Sequence, residues 1–165
     1  MAEIFKNYVK VANKPNTEYV IVPSGVINRN TTTYKDGSSE YNIREIDSDA
    51  QVHSLYISQV DESNRINGLN RYNPKNFKSV DLYIRDTSDE NVKIYLAFDV
   101  RIVPGSPFYI EKNITLEPTQ YLCAYCSDKA KDINTDANNA LVSINTSINL
   151  NITASTVIFV DDPEI

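Results

Sequence analysis

The amino-acid sequence predicts an all-β protein: an antiparallel β-sandwich or jelly-roll-like single domain with long polar loops, spanning residues 1–165. Three observations lead there. Apolar residues recur at alternate positions in several runs, the signature of strands with one buried face. The composition is rich in Tyr, Asn, Thr, Ile and Val and holds only 4 Gly, which suits strands joined by polar turns. No segment sustains a helical period over ten residues, and short strands punctuated by turn signals are the pattern of sandwiches and jelly rolls.

Along the chain, Phe5–Val11 and Glu18–Val22 read as strands, the second closed by Pro23-Ser24-Gly25. Thr31–Lys35 and Tyr41–Ile46 follow on either side of the turn signal Lys35-Asp36-Gly37, and then Val52–Val60. Val80-Asp-Leu82-Tyr-Ile84-Arg85 alternates cleanly, and the polar run from Arg85 to Asn91 makes it a hairpin with the next strand. That strand gives the strongest signal: Val92, Ile94, Leu96, Phe98, Val100 and Ile102 are expected on a buried face, opposite Lys93, Tyr95, Ala97, Asp99 and Arg101. After Pro104-Gly105 come strands at Phe108–Leu116 and Tyr121–Ser127, separated by Glu117-Pro118. A third alternating strand is expected over Leu141–Ile152, and a last one over Thr156–Val160. Residues 1–11 and 156–165 are candidate arms that reach a neighbouring copy. Asp61–Asn76 and Ser127–Asn139 read as long loops, natural contact points on a small β scaffold.

A chain of 165 residues buries roughly 70% of its unfolded surface in one domain and needs neither disulfide nor metal to fold. Its net charge of −6 is repelled by phosphate backbones and anionic membranes, so neither nucleic acid nor membrane is an expected partner. No run approaches the 18 or so apolar residues of a spanning helix. Met1 to Val11 carries Glu3, Lys6 and Lys10 and has no apolar signal core, so synthesis in a cytoplasm is expected.

Residues able to do chemistry are few. The single His, His53, lies in a strand pattern, and a nucleophilic triad would depend on it alone. Cys123 and Cys126 have C-x-x-C spacing, but in a strand residues three apart point to opposite faces, so they neither pair nor share a metal. Asp132, Asn134 and Asp136 place oxygens at alternate positions like the start of a calcium loop. Ala137 and Ser143 stand where the turn glycine and closing glutamate belong, so an Asn/Asp-rich loop is expected instead. The expectation is therefore a non-enzymatic protein with no cofactor, no metal and no small-molecule substrate. Eleven Tyr and no Trp point to interfaces, where tyrosine is enriched. Tyr83 and Tyr95 fall on the non-core faces of adjacent hairpin strands and are expected to form a cross-strand pair.

The order of Phe5-Lys-Asn-Tyr-Val-Lys10, Tyr19-Val-Ile-Val-Pro23-Ser-Gly25, Ile102-Val-Pro104-Gly105-Ser106, Ile114-Thr-Leu116-Glu-Pro118 and Tyr121-Leu-Cys-Ala-Tyr-Cys-Ser127 before a final alternating strand resembles small β-sandwich virion structural proteins of tailed bacteriophages, neck- or tail-associated or capsid-decorating. The sequence departs from that group at Pro118-Thr119-Gln120, where a Gly-Asp turn is usual, and in Asn28–Ala50 and Asp61–Asn76, which look like insertions. The resemblance implies a virion component made in a bacterial host, acting through interfaces with copies of itself and other virion proteins. A receptor- or carbohydrate-binding module of a phage fibre or adhesin is the alternative.

The expected contact residues are Arg65, Arg71, Tyr72, Lys75, Lys78, Tyr83 and Tyr95, with Asp161, Asp162 and Glu164 as the acidic counterpart on another copy. Reversing the charge at both Arg71 and Lys75 is expected to weaken self-association, read as a shift toward monomer in sedimentation velocity. An unchanged profile would remove this basic segment from the interface.

Overall fold

The computed structural model describes residues 2–26, 43–59, 78–103, 105–127 and 149–160. Among them are nine strands: β1 (Ala2–Ala12), β2 (Thr17–Val22), β3 (Asp49–Gln59), β4 (Lys78–Asp86), β5 (Asp89–Ile102), β6 (Phe108–Ile110), β7 (Ile114–Leu116), β8 (Gln120–Ser127) and β9 (Leu150–Val160). They form two antiparallel sheets. One runs β1-β9-β3-β6, with β7 also on β3, and the other runs β2-β8-β4-β5. First pairs with last, second with second-last, and so inward to the β4–β5 hairpin. This nested pairing is the jelly roll, with β6 and β7 as two halves of one position. The fold class expected from alternation is the one observed.

The core lies between the sheets because each strand contributes every second side chain to it. β9 shows this simply: Leu150, Ile152, Ala154, Thr156 and Ile158 are buried, while Asn151, Thr153 and Ser155 are half-buried on the outer side. Facing them across the sandwich are Tyr19 and Ile21 of β2, Val80, Leu82 and Ile84 of β4, and Leu122, Ala124 and Cys126 of β8. Burying each such aliphatic side chain is worth roughly 1.5–3 kcal/mol.

Several boundaries differ from the expectation. β1 and β9 pair along their full lengths, from Ala2 opposite Val160 to Ala12 opposite Leu150. Residues 2–11 and 156–160 of the two candidate arms are thus paired within the protein's own sheet, while residues 1 and 161–165 lie outside the described residues. The strand expected over Phe108–Leu116 is broken at Glu111–Asn113 into β6 and β7. The break faces an irregularity in β3 between Val52 and Ser54, where the Nδ1 of exposed His53 lies 3.2 Å from Asn113 Oδ1. Ile43–Ile46 is a bend and turn rather than part of a strand. Thr31–Lys35, the two long loops except Ser127, and most of Leu141–Ile152 lie outside the described residues.

Arg44 explains why its segment is not a strand. Its side chain is only 1% exposed. The guanidinium donates to the carbonyls of Ser48 (3.0 Å), Pro23 (2.9 Å), Gln120 (3.0 Å), Leu116 (3.4 Å) and Glu117. Those carbonyls sit at the end of β2, the entry to β3 and the β7–β8 connection, so one side chain joins both sheets at one end of the sandwich. Backbone bonds close the same junction: Arg44 N to Ser24 O at 3.0 Å, Asp47 N to Gly25 O at 2.6 Å and Gly25 N to Pro118 O at 2.7 Å. Gly25 is required there, since a Cβ would meet Ser48 O at 2.9 Å and Glu45 O at 3.0 Å. Nearby, burial pushes the Tyr8 phenol up to about 12, against the pull of the Arg44 charge and with Glu45 adding to the rise.

Replacing Arg44 by alanine strands several buried carbonyls, at about 1–3 kcal/mol for each one left unsatisfied. The variant is expected to lose at least about 3 kcal/mol, read from urea midpoints at constant m value. A loss under about 1 kcal/mol would show that the junction holds without it.

Candidate functional site

The surface feature that stands out is β5. It is an edge strand, and the facing sheet ends beside it in β6 and β7, three residues each. Its apolar stripe, the strongest core signal in the sequence, is largely at the surface: Phe98 is 69% exposed, Ile94 50% and Val92 49%, with Leu96 also exposed. Only Ile102 is fully buried, and Val100 is half-buried against the core.

Ile94 keeps the core-side facing of Ile84 and is exposed for want of cover at the edge, whereas for Phe98 the pairing with β4 shows the cause. Ile84 lies opposite Ile94 and Tyr83 opposite Tyr95, but Leu82 lies opposite Ala97 and Val80 opposite Val100. Between Tyr95 and Val100 two residues have been inserted into β5 relative to its partner, one on each side of Ala97, and a bulge reverses the facing of the residues beyond it. Ala97, expected on the wet side, packs toward the core, and Phe98 is turned out. Asp99 fixes the second bulge. It adopts a left-handed backbone (φ 54°), its amide donates to Asp81 Oδ1 at 2.7 Å, and its carboxylate accepts from Ser79 Oγ.

The outer face of the β2-β8-β4-β5 sheet holds a second buried layer. Val20, Tyr83, Tyr121 and Cys123 pack together with half-buried Tyr125 beside them. Within this layer Arg85 Nε meets Glu18 Oε2 at 2.9 Å, both side chains about 6% exposed, and the Tyr83 hydroxyl donates to the same Glu18 oxygen. Burial and the adjoining Glu18 carboxylate push the Tyr83 phenol far above its ordinary value. Burial opposes the Arg85 charge, yet the Glu18 carboxylate holds its pKa above the usual one. The layer leads outward to the edge: Lys93 Nζ lies 4.9 Å from the Tyr83 ring centroid, the Tyr83 and Tyr95 rings are 5.4 Å apart, and Tyr95 meets Phe98 edge-on at 5.4 Å. An aromatic ladder thus connects the buried network to exposed Phe98.

A second apolar edge lies on β1, the end strand of the other sheet, where Phe5 is 76% exposed and Val9 65%, with Val11 beside them. On the same outer face Tyr56 and Tyr109 form an edge-to-face pair at 5.0 Å, both exposed.

Of the expected contact residues, Tyr83 and Tyr95 do form the cross-strand pair. Tyr95 is at the surface, whereas Tyr83 and Lys78 are buried within the protein's own fold. Lys78 is buried because it stands at the end of β4 opposite Ile102. Arg65, Arg71, Tyr72, Lys75, Asp161, Asp162 and Glu164 lie outside the described residues, as do Asp132, Asn134 and Asp136. Cys123 and Cys126 form no disulfide with each other and lie one in each buried layer, as strand geometry requires. Burial, with Asp81 adding, pushes the Cys126 thiol up to about 12. Among the described residues no group of three or more His, Cys, Asp or Glu is placed to hold a metal ion. Sequence reasoning missed Phe98 as a surface residue by taking alternation to continue unbroken, and Ile94 and Val92 by taking the apolar face of an edge strand to be covered along its whole length. The signal available was Asp99 inside the strand, with Asp81 in the strand before it.

Glu18→Ala would leave the buried Arg85 charge without its carboxylate and is expected to cost about 3–5 kcal/mol. Replacing the pair together, Glu18→Leu with Arg85→Met, is expected to restore most of that loss in chemical denaturation. A double variant no better than the single one would mean the pair does more than satisfy itself.

No family model matches the chain, and no curated protein matches it. Among solved structures it is similar to a chain from the structure of infectious bursal disease virus Gt strain, with a TM-score of 0.45 and 7% identity over 95% of this chain. The match spans 32% of that chain.

Proposed function

We propose that this protein is a non-enzymatic structural component of a virion, and more narrowly of a tailed-phage particle at the neck, the tail or the capsid surface. The observation that carries the reading is the apolar surface of β5. A soluble monomer rarely exposes a contiguous apolar strip, and such strips mark interaction sites. An exposed edge strand is also a template for pairing. Here the strip is held on a rigid jelly roll, an architecture used by capsid proteins. The sequence resemblance supplies the phage setting. The partners are other copies of the chain and other virion proteins, and the mechanism is geometric: preformed surfaces bury roughly 1,600 Å² or more per contact.

A second reading, a receptor- or carbohydrate-binding module, is favoured by the exposed Tyr56–Tyr109 pair, since the same architecture serves lectins and tyrosine rings pack against sugars. A glycan array separates the two, because a structural component binds nothing on it. For the first reading, mass spectrometry of purified particles is expected to find this chain at stoichiometric level. Its absence from particles, together with a monomeric state at high micromolar concentration, would overturn the structural reading.

A further inference from the structure

We propose that copies of this chain join head to tail, the β5 edge of one against the β1 edge of the next. This names the self-contact that the structural reading requires and rests on that reading. Four observations select it.

The first is position. β1 lies against β2, while β5 lies against β3 on the far side, so β1 and β5 occupy opposite lateral edges of the sandwich. Each copy can therefore engage two neighbours at once, and the unlike edges generate a ring or an open chain according to the rotation between copies. The second is length and regularity. β1 offers 11 residues without a bulge in its pairing with β9. β5 offers 14, of which residues 93–95 pair in unbroken register, between an irregularity toward the hairpin turn and the bulges beside Ala97. Neither strand contains proline, the usual device for blunting an edge.

The third is apolar matching. Phe5, Val9 and Val11 on one edge and Val92, Ile94, Tyr95 and Phe98 on the other are exposed in the single copy. The fourth is charge. β1 carries Lys6 and Lys10 against Glu3, a balance of +1, whereas the described charged side chains of β5, Asp89 and Asp99 against Lys93 and Arg101, balance to zero. Two β1 edges brought together would set lysines near lysines. The β1–β5 contact sets the lysine-bearing edge against a charge-balanced one, so charge disfavours the symmetric β1 pairing relative to the unlike one.

The test uses two variants of the full chain. Ile94→Lys with Phe98→Asp disables the β5 edge, and Phe5→Asp with Val9→Asp disables the β1 edge. These positions are exposed, and retained far-UV circular dichroism and thermal transitions check the fold. Should either double variant misfold, Phe98→Ser and Phe5→Ser replace them.

In sedimentation velocity and multi-angle light scattering, the wild type is expected to self-associate and each variant alone to be monomeric or at least about tenfold weaker. The two variants mixed are expected to form a one-to-one dimer, since each keeps the edge the other lacks. If the β1 variant alone associates as the wild type does, or the mixture stays monomeric while the wild type assembles, the head-to-tail contact is wrong and the structural reading survives. If the wild type is itself monomeric throughout, the self-assembly reading fails with it.

Discussion

The fold depends on one buried cation. The two sheets of a sandwich are joined by side-chain packing and by whatever closes the ends, and here one end is closed by Arg44. Its planar fork gathers carbonyls from the exits of β2 and β7 and the entries of β3 and β8. Two of these strands belong to each sheet. A lysine carries the charge but not the geometry, since only a guanidinium presents five donors in a fixed plane. The cost of burying that charge is offset by hydrogen bonds that the carbonyls would otherwise lack. Gly25 serves the same junction from the backbone side, because the approach of Ser48 and Glu45 leaves no room for a Cβ.

With that end fixed, the sandwich can leave its sides open. β5 is longer than the strands opposite it, and its two bulges shift the alternation so that apolar side chains occupy both sides of an edge. Bulges commonly protect edges by twisting them away from partners. In β5 they turn Phe98 outward and set it edge-on to Tyr95, which packs at a tilt on Tyr83 beside the Glu18–Arg85 pair. The exposed aromatic is thereby anchored to a buried, hydrogen-bonded layer. Pre-ordering of that kind lowers the entropy that contact with a neighbour would cost.

The Glu18–Arg85–Tyr83 network has a second consequence. A sheet that buries both faces is stiffer than one with a solvated face, because side chains on each side lose freedom together. Strands β8 and β4, central in their sheet, carry aliphatic residues on one face and Tyr121, Cys123, Tyr83 and Arg85 on the other. A buried ion pair contributes little net stability compared with an apolar pair of similar volume, yet it penalises any register that separates its partners. A slip of one residue between β2 and β8, or between β8 and β4, would separate Arg85 from Glu18 and lift Tyr83 from its carboxylate.

The sequence by itself determined the fold class, because a period of two leaves few alternatives to strands with one buried face. It also determined the β4–β5 hairpin, through the Asp-rich turn whose Asp86 accepts from the Ser88 amide at 2.9 Å, and the opposite facing of Cys123 and Cys126. Only the tertiary structure decided which apolar residues are buried. Alternation specifies that side chains share a face, but not whether anything covers it, nor where an inserted residue reverses it. So Val92, Ile94 and Phe98, the clearest core pattern in the chain, became surface, while Glu18, Arg44 and Arg85, which composition assigns to solvent, became interior. The reason is that a residue's burial is set by the strand on the far side of the core, and that strand is distant in sequence.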